Sequence, residues 1–393
     1  MTAVRGAPPS GLVADPGPAP RAARGRPQGP AVSVRDVSVT ARRASGPLDH
    51  VDLEVAPGEL VALLGADASG ARTLVGVLAG RRRPTSGGVA LDGRVRTAVD
   101  LRATVVVDLG AGGASWPRDR ATLRRSLAST ARRARRRPSG AGPEGGRAAV
   151  VPGASSRFGP VEDEVVAALA AVGLADRADV PVRRLDVGAR RRLQLAGALL
   201  DPSAVLLVVE PFAGLDAPAL GRWRDDLRRV QREAGLTTVL VTHDQASAFA
   251  VADRVAVLDE GRVAQVGTPE ELCTTPACRV VAEFVGVGNR LRADVVDGRV
   301  RVPGAEVAAV GTCADGPVVA WVRPEDVVLA EHGAPGTVAE VTWLGRGVRT
   351  RVLLADGVDL VLEHPVRDSR PVGERVHVRV VAPSVVVVPA DAP

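Results

Sequence analysis

The sequence predicts an α/β domain with a mostly parallel sheet, followed by a small all-β domain. Up to about residue 285, short apolar runs alternate with helical patterns, which is typical of buried parallel strands. From about residue 290 the chain becomes a series of short valine-rich segments, with Asp297-Gly298 and Asp356-Gly357 as hairpin turns. At 393 residues the chain is long enough for two domains with a substantial core.

Composition shifts along the chain predict the boundaries of its regions. Residues 1–30 are rich in Pro, Gly, Ala and Arg without an apolar central run, so we expect a disordered tail and no signal peptide. The α/β domain is predicted over 31–285, and a β domain of the barrel or OB type over 290–393. Within the first domain, residues 132–160 join an arginine cluster to a Gly/Pro/Ser-rich stretch, which predicts a disordered loop; a basic partner-binding loop is the alternative.

Five apolar runs supply the predicted parallel strands, and an apolar stripe supplies a long helix packed on them. The runs are Val61–Leu64, Thr104–Val107, Ala204–Val209, Thr238–Val241 and Arg254–Leu258. The helix lies between the third and fourth runs and closes at Gly235. Its stripe, at helical spacing, consists of Leu220, Trp223, Leu227 and Val230.

Composition also restricts the classes of function. The chain has no lysine, so its 51 basic residues are all arginine, and the formal net charge is +6. This charge permits contact with nucleic acid or an anionic membrane, but a solvated arginine-rich surface is the favoured interpretation. Aromatic residues make up only 2%, which leaves few platforms for stacking single-stranded bases. We therefore do not expect a nucleic-acid partner.

Apolar stretches and cysteines point to an intracellular protein. No apolar stretch is long enough to span a bilayer, so we expect a soluble chain. Cys273, Cys278 and Cys313 are an odd number, with no Cys-x-x-Cys pair and no nearby histidine. We expect free thiols, with neither a disulfide nor a metal site.

The segment GADASGARTL, residues 65–74, follows a predicted strand and opens a predicted helix, as a phosphate-binding loop does. Gly65 and Gly70 have the spacing of G-x-x-x-x-G-K-[ST], whose backbone N–H groups hold phosphates. Ala71 and Arg72 stand where lysine and Ser/Thr belong. A guanidinium at Arg72 could bind phosphate, and Thr73 could supply a displaced hydroxyl. The candidate nucleotide contacts are Gly65, Ser69, Gly70, Arg72 and Thr73.

Three further segments follow this loop in a characteristic order. LDVGARRRLQLAGALL (185–200) is a loop that runs into a helix, AVLLVVEPFAGLD (204–216) is a strand that ends at Glu210, and TTVLVTHDQASAFAVADRV (237–255) is a strand that ends at His243. In order and spacing, the four segments resemble those of an ATP-binding cassette (ABC) protein. They correspond to its Walker A loop, signature loop, Walker B strand with D-loop, and switch histidine.

The resemblance extends through the β domain and covers residues 31 to about 390. GRVAQVGTPEEL and AEFVGVGNRL are similar to the junction after the cassette in importers of the sulfate, iron, polyamine and maltose type. The β domain resembles the C-terminal regulatory domain of those importers. The resemblance implies a P-loop NTPase-like cassette with a helical subdomain, bound ATP, and a cassette homodimer or heterodimer on transmembrane permease subunits. It also implies an indirect extracytoplasmic solute-binding partner and a place at the inner face of the cell membrane.

The same resemblance assigns roles to the remaining candidate residues. Glu210 would polarise the attacking water, and His243 would contact the γ-phosphate. The alternative for both is a relic, with Glu210 a strand-end carboxylate and His243 a strand-end cap. Asp186 and Gly188 belong to the signature loop, and Asp216 belongs to the D-loop.

Several positions depart from the family pattern. Val209 stands where the family has the Walker B aspartate, and Asp108 stands where it has a glutamine that senses Mg²⁺ and the permease. The signature reads LDVGA instead of LSGGQ, so the carboxylate of Asp186 replaces the serine that contacts the partner's γ-phosphate. The adenine-stacking aromatic, expected near 38–46, is missing. We therefore expect weak ATP binding, impaired Mg²⁺ ligation and little or no hydrolysis.

Three functions stay open at this point. The first is the ATP-binding subunit of an importer, coupling nucleotide binding to solute uptake. The second is a non-hydrolysing cassette relic that acts as a scaffold or regulator of a permease or other partner. The third is a nucleic-acid-binding protein that uses the arginine clusters and the barrel. Nucleotide binding separates the first two, and steep salt dependence of DNA or RNA retention would mark the third.

Overall fold

The computed structural model describes eleven stretches of the chain, and the predicted tail over 1–30 lies almost wholly outside them. The stretches are 30–40, 46–66, 69–91, 94–95, 105–108, 121–135, 161–200, 205–285, 288–311, 315–345 and 347–390. Among these residues, no helix has both the length and the apolar character needed to cross a membrane.

Strands and helices alternate in the first part of the chain, and strands alone follow. The strands up to residue 267 are β1 (Val32–Val39), β2 (Leu48–Val55), β3 (Leu60–Leu64), β4 (Ser86–Leu91), β5 (Arg94–Val95), β6 (Val105–Asp108), β7 (Val205–Val209), β8 (Thr237–Val241), β9 (Arg254–Asp259) and β10 (Arg262–Gly267). The helices are α1 (Ala71–Leu78), α2 (Leu123–Arg135), α3 (Val161–Ala171), α4 (Val187–Leu199), α5 (Ala217–Ala234), α6 (Gln245–Val251), α7 (Pro269–Thr274) and α8 (Arg279–Phe284). The later strands are β11 (Asn289–Val296), β12 (Arg299–Val302), β13 (Ala305–Val310), β14 (Gly316–Val322), β15 (Val327–Ala330), β16 (Ala334–Trp343), β17 (Val348–Leu354), β18 (Asp359–His364), β19 (Arg375–Val380) and β20 (Ser384–Pro389).

The central sheet has the strand order β10-β9-β3-β8-β7-β6. All its strands except β10 run parallel, which confirms the predicted fold class. Strands β3, β7 and β8 are buried at every residue, because both faces of the sheet are covered. The predicted apolar runs match five of these strands to within one residue at each described end; Thr104 and Ala204 lie outside the described residues.

Two hydrophobic cores lie on the two faces of this sheet. Alternate side chains of β3 divide between them: Leu60, Ala62 and Leu64 belong to the core under the long helices, whereas Val61 and Leu63 face the other. The second core is closed by α1 and by an antiparallel sheet of order β2-β1-β4-β5. Helix α1 therefore packs with its apolar face between two sheets, and this fixes the loop that precedes it.

Helix α5 follows the apolar stripe that predicts it. Trp223, Leu227 and Val230 are buried in the first core, and Leu220 packs against that core half-buried. The helix ends at Gly235, whose backbone has a φ of 62° and whose N–H bonds to carbonyls of the last turn. A left-handed C-terminal residue of this kind favours glycine.

One predicted boundary needs correction. The loop predicted over 132–160 begins too early, because α2 continues to Arg135. Leu127 and Ala131 are buried on one face of this helix, and arginine and alanine are strong helix formers, so the apolar stripe carries the helix through the first arginines. Helix α3 then begins at Val161. Residues 136–160 lie outside the described part of the chain.

The C-terminal part is all β, as predicted. Strands β11-β12-β13-β20-β14 form a closed barrel, and β15-β19-β16-β17-β18 form a second sheet. The hairpin turn predicted at Asp297-Gly298 joins β11 to β12, and the one predicted at Asp356-Gly357 joins β17 to β18. The two sheets share one hydrophobic core, formed by residues between Leu291 and Val387.

A small contact joins the β region to the end of the α/β region. Trp321 of β14 is buried against Ala282 of α8 and Val388 of β20. The Arg323 guanidinium donates a 3.0 Å hydrogen bond to the carbonyl of Cys273. Cys273 and Cys278 are free thiols, whereas Cys313 lies outside the described residues.

Candidate nucleotide site

The loop between β3 and α1 is shaped by two glycines. Gly70 has a φ of 92°, and a Cβ there would lie 2.4 Å from the carbonyl oxygen of Pro47. A Cβ at Gly65 would lie 2.2 Å from Ser69 Oγ and 2.6 Å from the carbonyl oxygen of Leu258. Both positions therefore require glycine. Gly70 requires it for backbone conformation and for space, and Gly65 requires it for space alone. Residues 67–68 at the tip lie outside the description.

The N-terminus of α1 is open to an anion. No side chain caps it, and its first turn contains no acidic residue. The first N–H groups of a helix have no intrahelical partner, and the helix dipole favours negative charge there. A glycine loop leading into such a terminus is an arrangement that binds phosphate.

Ser69 faces the inside of this loop. Its side chain is only 3% exposed, and Oγ has no hydrogen-bond partner among the described residues. A buried hydroxyl without a partner is costly, so this oxygen is a candidate contact for a ligand that reaches the loop.

Arg72 and Thr73 point in different directions. Arg72 is exposed at the second position of α1. Thr73 is fully buried, and its hydroxyl donates a 2.8 Å hydrogen bond to the carbonyl of Gly46. Ala71, where a lysine would approach the phosphates, contributes only a buried methyl group.

Glu210 and His243 meet at the carboxyl ends of the neighbouring strands β7 and β8. Glu210 Oε2 lies 3.0 Å from His243 Nδ1 and accepts a 3.3 Å hydrogen bond from Thr242 Oγ1. The Glu210 side chain is mostly buried, at 13% exposed, whereas that of His243 is 72% exposed. The pair therefore places a mostly buried carboxylate beside an imidazole that solvent or a ligand can reach.

The backbone of Glu210 is turned to make this contact. Its φ is 47°, a left-handed value that is unusual for a residue with a side chain, and its N–H donates a 2.7 Å bond to the carbonyl of Val241. Such strain persists where surrounding structure enforces it and clusters at functional sites. Thr242 was not among the sequence candidates; it positions Glu210 and accepts a 3.1 Å bond from the N–H of Asp244.

Two family models match this chain. One, described as ABC transporter, matches residues 48–213, and the other, described as TOBE domain, matches residues 320–388. The spermidine/putrescine import ATP-binding protein PotA of Thermobifida fusca is 33% identical over 351 residues, which cover 85% of this chain and 86% of that protein. The sulfate/thiosulfate import ATP-binding protein CysA of Xanthomonas campestris pv. campestris is 35% identical over 320 residues, which cover 81% of this chain and 88% of that protein.

The chain belongs to the ATP-binding cassette family. The relatives named above are import ATP-binding proteins, and this chain matches the TOBE domain in its C-terminal part. These matches confirm the resemblance inferred from motif order. Among solved structures, cbiO1 from Clostridium perfringens, part of an ABC transporter complex, superimposes with a TM-score of 0.51 over 66% of this chain and 94% of that chain. At 24% identity, this likeness shows the cassette fold alone.

In the cassette, Asp186 of the signature loop caps its own helix. Its carboxylate accepts a 2.7 Å hydrogen bond from the N–H of Ala189, and the Arg177 guanidinium lies 3.9 Å away. Gly188, a predicted signature residue, follows in the first turn of α4, where a Cβ would lie 3.3 Å from Asp186 Oδ1. Asp216 of the D-loop caps α5 in the same way, accepting a 2.8 Å bond from the N–H of Ala219.

The cap at Asp186 leads to a stability prediction. Asp186→Ala should lower the free energy of unfolding by about 1 kcal/mol, whereas Asp186→Ser should keep most of it, because both aspartate and serine cap helices well. The ion pair with Arg177 adds little, since both side chains are exposed. Urea unfolding followed by circular dichroism measures the difference. Asp225→Ala, an exposed aspartate inside α5, is the control for charge removal; equal losses at Asp186 and Asp225 would contradict the capping role.

The signature helix is also tied to the loop that follows the Walker B strand. Arg191 is 4% exposed, and its guanidinium donates to the carbonyl of Ala213. Burial lowers the pKa of Arg191 below its ordinary value. Sequence reasoning missed this residue; a signal was available, because Arg191 lies four residues before the buried Leu195 on the inward face of α4.

The residues at the two Mg²⁺ positions do not fit that ion. Mg²⁺ requires oxygen ligands in octahedral geometry. Arg72 offers no oxygen where the family has a hydroxyl, and the buried Val209 offers none where it has a carboxylate. Among the described residues, no group of three or more His, Cys, Asp or Glu side chains could hold a metal. Asp108 ends β6, and its side chain lies outside the description.

Proposed function

We propose that this chain is the ATP-binding subunit of an importer and couples the binding of ATP, with hydrolysis impaired, to solute uptake through a membrane permease. The observation that carries the proposal is the identity with import ATP-binding subunits, which runs through the cassette and the TOBE domain together. The relatives favour this function over a non-hydrolysing cassette relic that acts as a scaffold or regulator. They give no support to a nucleic-acid-binding function.

The geometry supports retained nucleotide binding. The two glycines keep the loop open, α1 presents uncapped N–H groups, and Ser69 turns an unpartnered hydroxyl into the loop. Glu210 and His243 stand together at the strand ends where the γ-phosphate would lie. Against this, the lysine and both Mg²⁺ ligands are replaced. We therefore propose ATP as a weakly held ligand, with little contribution from Mg²⁺.

The assembly follows from the same proposal. Import ATP-binding subunits work with transmembrane permease subunits, and dimerisation is typical of cassettes. We propose that this chain forms a cassette homodimer or heterodimer on a permease at the inner face of the membrane, with an extracytoplasmic solute-binding protein as an indirect partner. We also propose that residues 31–285 form the cassette and 290–393 the regulatory domain, preceded by a disordered tail over 1–30.

An ATP titration tests nucleotide binding directly. Isothermal titration of the full chain should give a dissociation constant in the high micromolar range or weaker, because the missing lysine and Mg²⁺ ligands remove several charge-assisted contacts. Adenosine, which lacks phosphates, is the ligand control and should bind more weakly than ATP. Failure of ATP to bind at millimolar concentration would overturn the proposed function, and a submicromolar constant would show that the loss has been compensated in full.

A further inference from the structure

Three consecutive arginines follow the Walker A helix, and the middle one differs from its neighbours. Gly80, with a φ of 63°, ends the helix, and the N–H groups of Arg81 and Arg82 then donate 2.8 and 2.9 Å hydrogen bonds to the carbonyl of Gly76. This turn sends the chain back beside α1. Arg81 and Arg83 are exposed, whereas Arg82 is half-buried.

The Arg82 side chain runs along α1 towards its N-terminus. A Cβ at Gly76 would lie 3.3 Å from both Cγ and Cδ of Arg82, so the aliphatic part of the arginine lies against the helix where a glycine leaves room. Arg82 Nη1 reaches Thr73 Oγ1 at 3.4 Å. Thr73 is the third residue of α1, so the guanidinium stands at the first turn of the helix although Arg82 follows the last.

A cation is needed at this end of the helix. Ala71 leaves the loop without the amine that would reach the phosphates, and Arg72, the nearest arginine in sequence, is exposed. Ser69 independently marks the loop as a ligand site, because its buried Oγ lacks a partner among the described residues and faces Gly65 across the loop. Guanidinium binds phosphate oxygens strongly through paired N–H groups.

We propose that Arg82 takes over part of the function of the Walker A lysine, approaching the bound phosphates of ATP from the C-terminal side of α1. This inference rests on the proposed nucleotide binding. It adds the identity of the positive charge that allows the site to bind nucleotide without the lysine. Gly76 has a corresponding role, because it provides the surface along which Arg82 reaches the first turn. Arg72, one residue late in the loop, is the competing source of charge.

Titrations of ATP and tripolyphosphate into the full chain test the proposal. Arg82→Gln should raise the dissociation constant of both ligands about tenfold, because a charge-assisted contact to phosphate is lost. Arg82→Lys should restore part of the affinity. Arg83→Gln, an exposed arginine of the same run, is the matched control and should leave binding unchanged. The wild-type chain should lose affinity more steeply with salt than Arg82→Gln does.

The outcomes separate the two proposals. If the wild-type chain binds ATP but Arg82→Gln binds both ligands as Arg83→Gln does, the role of Arg82 is wrong and the proposed function stands. The same holds if Arg72→Gln weakens binding and Arg82→Gln does not. If the wild-type chain binds neither ligand, the proposed function fails as well. Arg82 could instead only stabilise α1, without contacting phosphate. In that case Arg82→Gln would lower the melting temperature but keep the wild-type salt dependence of binding, and this result would also overturn the inference.

Discussion

Purified protein should show no Mg²⁺-dependent ATPase activity above that of its Glu210→Gln variant. Phosphoryl transfer depends on positioning and on stabilising the charge of the γ-phosphoryl group. By the family resemblance, Ala71 and Val209 would remove part of that stabilisation, and Asp186 of the opposite subunit would oppose it. Glu210 and His243 lie 3.0 Å apart at the strand ends. In the proposed function they would activate a water, but no firmly held phosphate would be present at which to direct it.

The Glu210→Gln substitution is a close control. Glutamine keeps the size of the side chain and still accepts the hydrogen bond from Thr242, so the strand end should keep its conformation while the carboxylate that polarises water is lost. Phosphate release would be measured at millimolar ATP with and without Mg²⁺, using matched preparations of both proteins. Turnover that is measurable in the wild-type chain and lost in the variant would mean that the site works as an ATPase despite its substitutions.

The sequence was sufficient for the fold because the strands of the cassette are buried on both faces. Runs such as Val205–Val209 are apolar at every position, and this property does not depend on which neighbour packs against them. The meeting of Glu210 and His243 could be anticipated for a related reason. Both residues follow strands of one parallel sheet, whose carboxyl ends lie at a common edge.

The contacts that sequence reasoning missed depend on the reach of individual side chains. Arg82 follows α1 in sequence, yet its guanidinium lies at the start of that helix, a placement set by the turn at Gly80 and the open side of Gly76. Thr242 contacts Glu210 only because β7 and β8 are neighbours in the sheet. No spacing within one segment carries this information. The end of α2 does not follow from composition, because the arginine-rich segment from residue 132 predicts a loop, whereas the helix, with Leu127 and Ala131 buried, continues to Arg135.

Asp186 links stability to chemistry in this cassette. Its carboxylate bonds to the N–H of Ala189, so a negative charge already occupies the N-terminus of α4. In the cassette dimer proposed above, that terminus would face the γ-phosphate held by the opposite Walker A loop. A second anion brought to the same amides meets a like charge and a donor already in use. The aspartate thus caps the helix, and in the proposed dimer it would disfavour contact with the partner's γ-phosphate.

A triple variant with Ala71→Lys, Arg72→Thr and Val209→Asp, which restores the family residues, should bind ATP ~10²–10⁴-fold more tightly. The lysine and the Mg²⁺ ligands add charge-assisted contacts that together contribute several kcal/mol. Titration with Mg²⁺ and with EDTA measures this, and only the restored chain should bind more tightly with the metal. Ala71→Lys alone is the control and should gain affinity without metal dependence. An unchanged dissociation constant in the triple variant would contradict this prediction, because it would mean that these three positions are not what weakens ATP binding.

The restored chain should nevertheless turn over slowly, because Asp186 still faces the partner's γ-phosphate. Adding Asp186→Ser should then raise ATP-driven dimerisation and turnover together, without loss of the helix cap. The effect of Arg82→Gln should also shrink in the restored background, since a lysine at position 71 would supply the charge that Arg82 otherwise provides. Arg82→Gln could instead cause the same loss of ATP affinity in the wild-type and the restored chain. The lysine at position 71 and Arg82 would then act independently, which would exclude a replacement of one by the other.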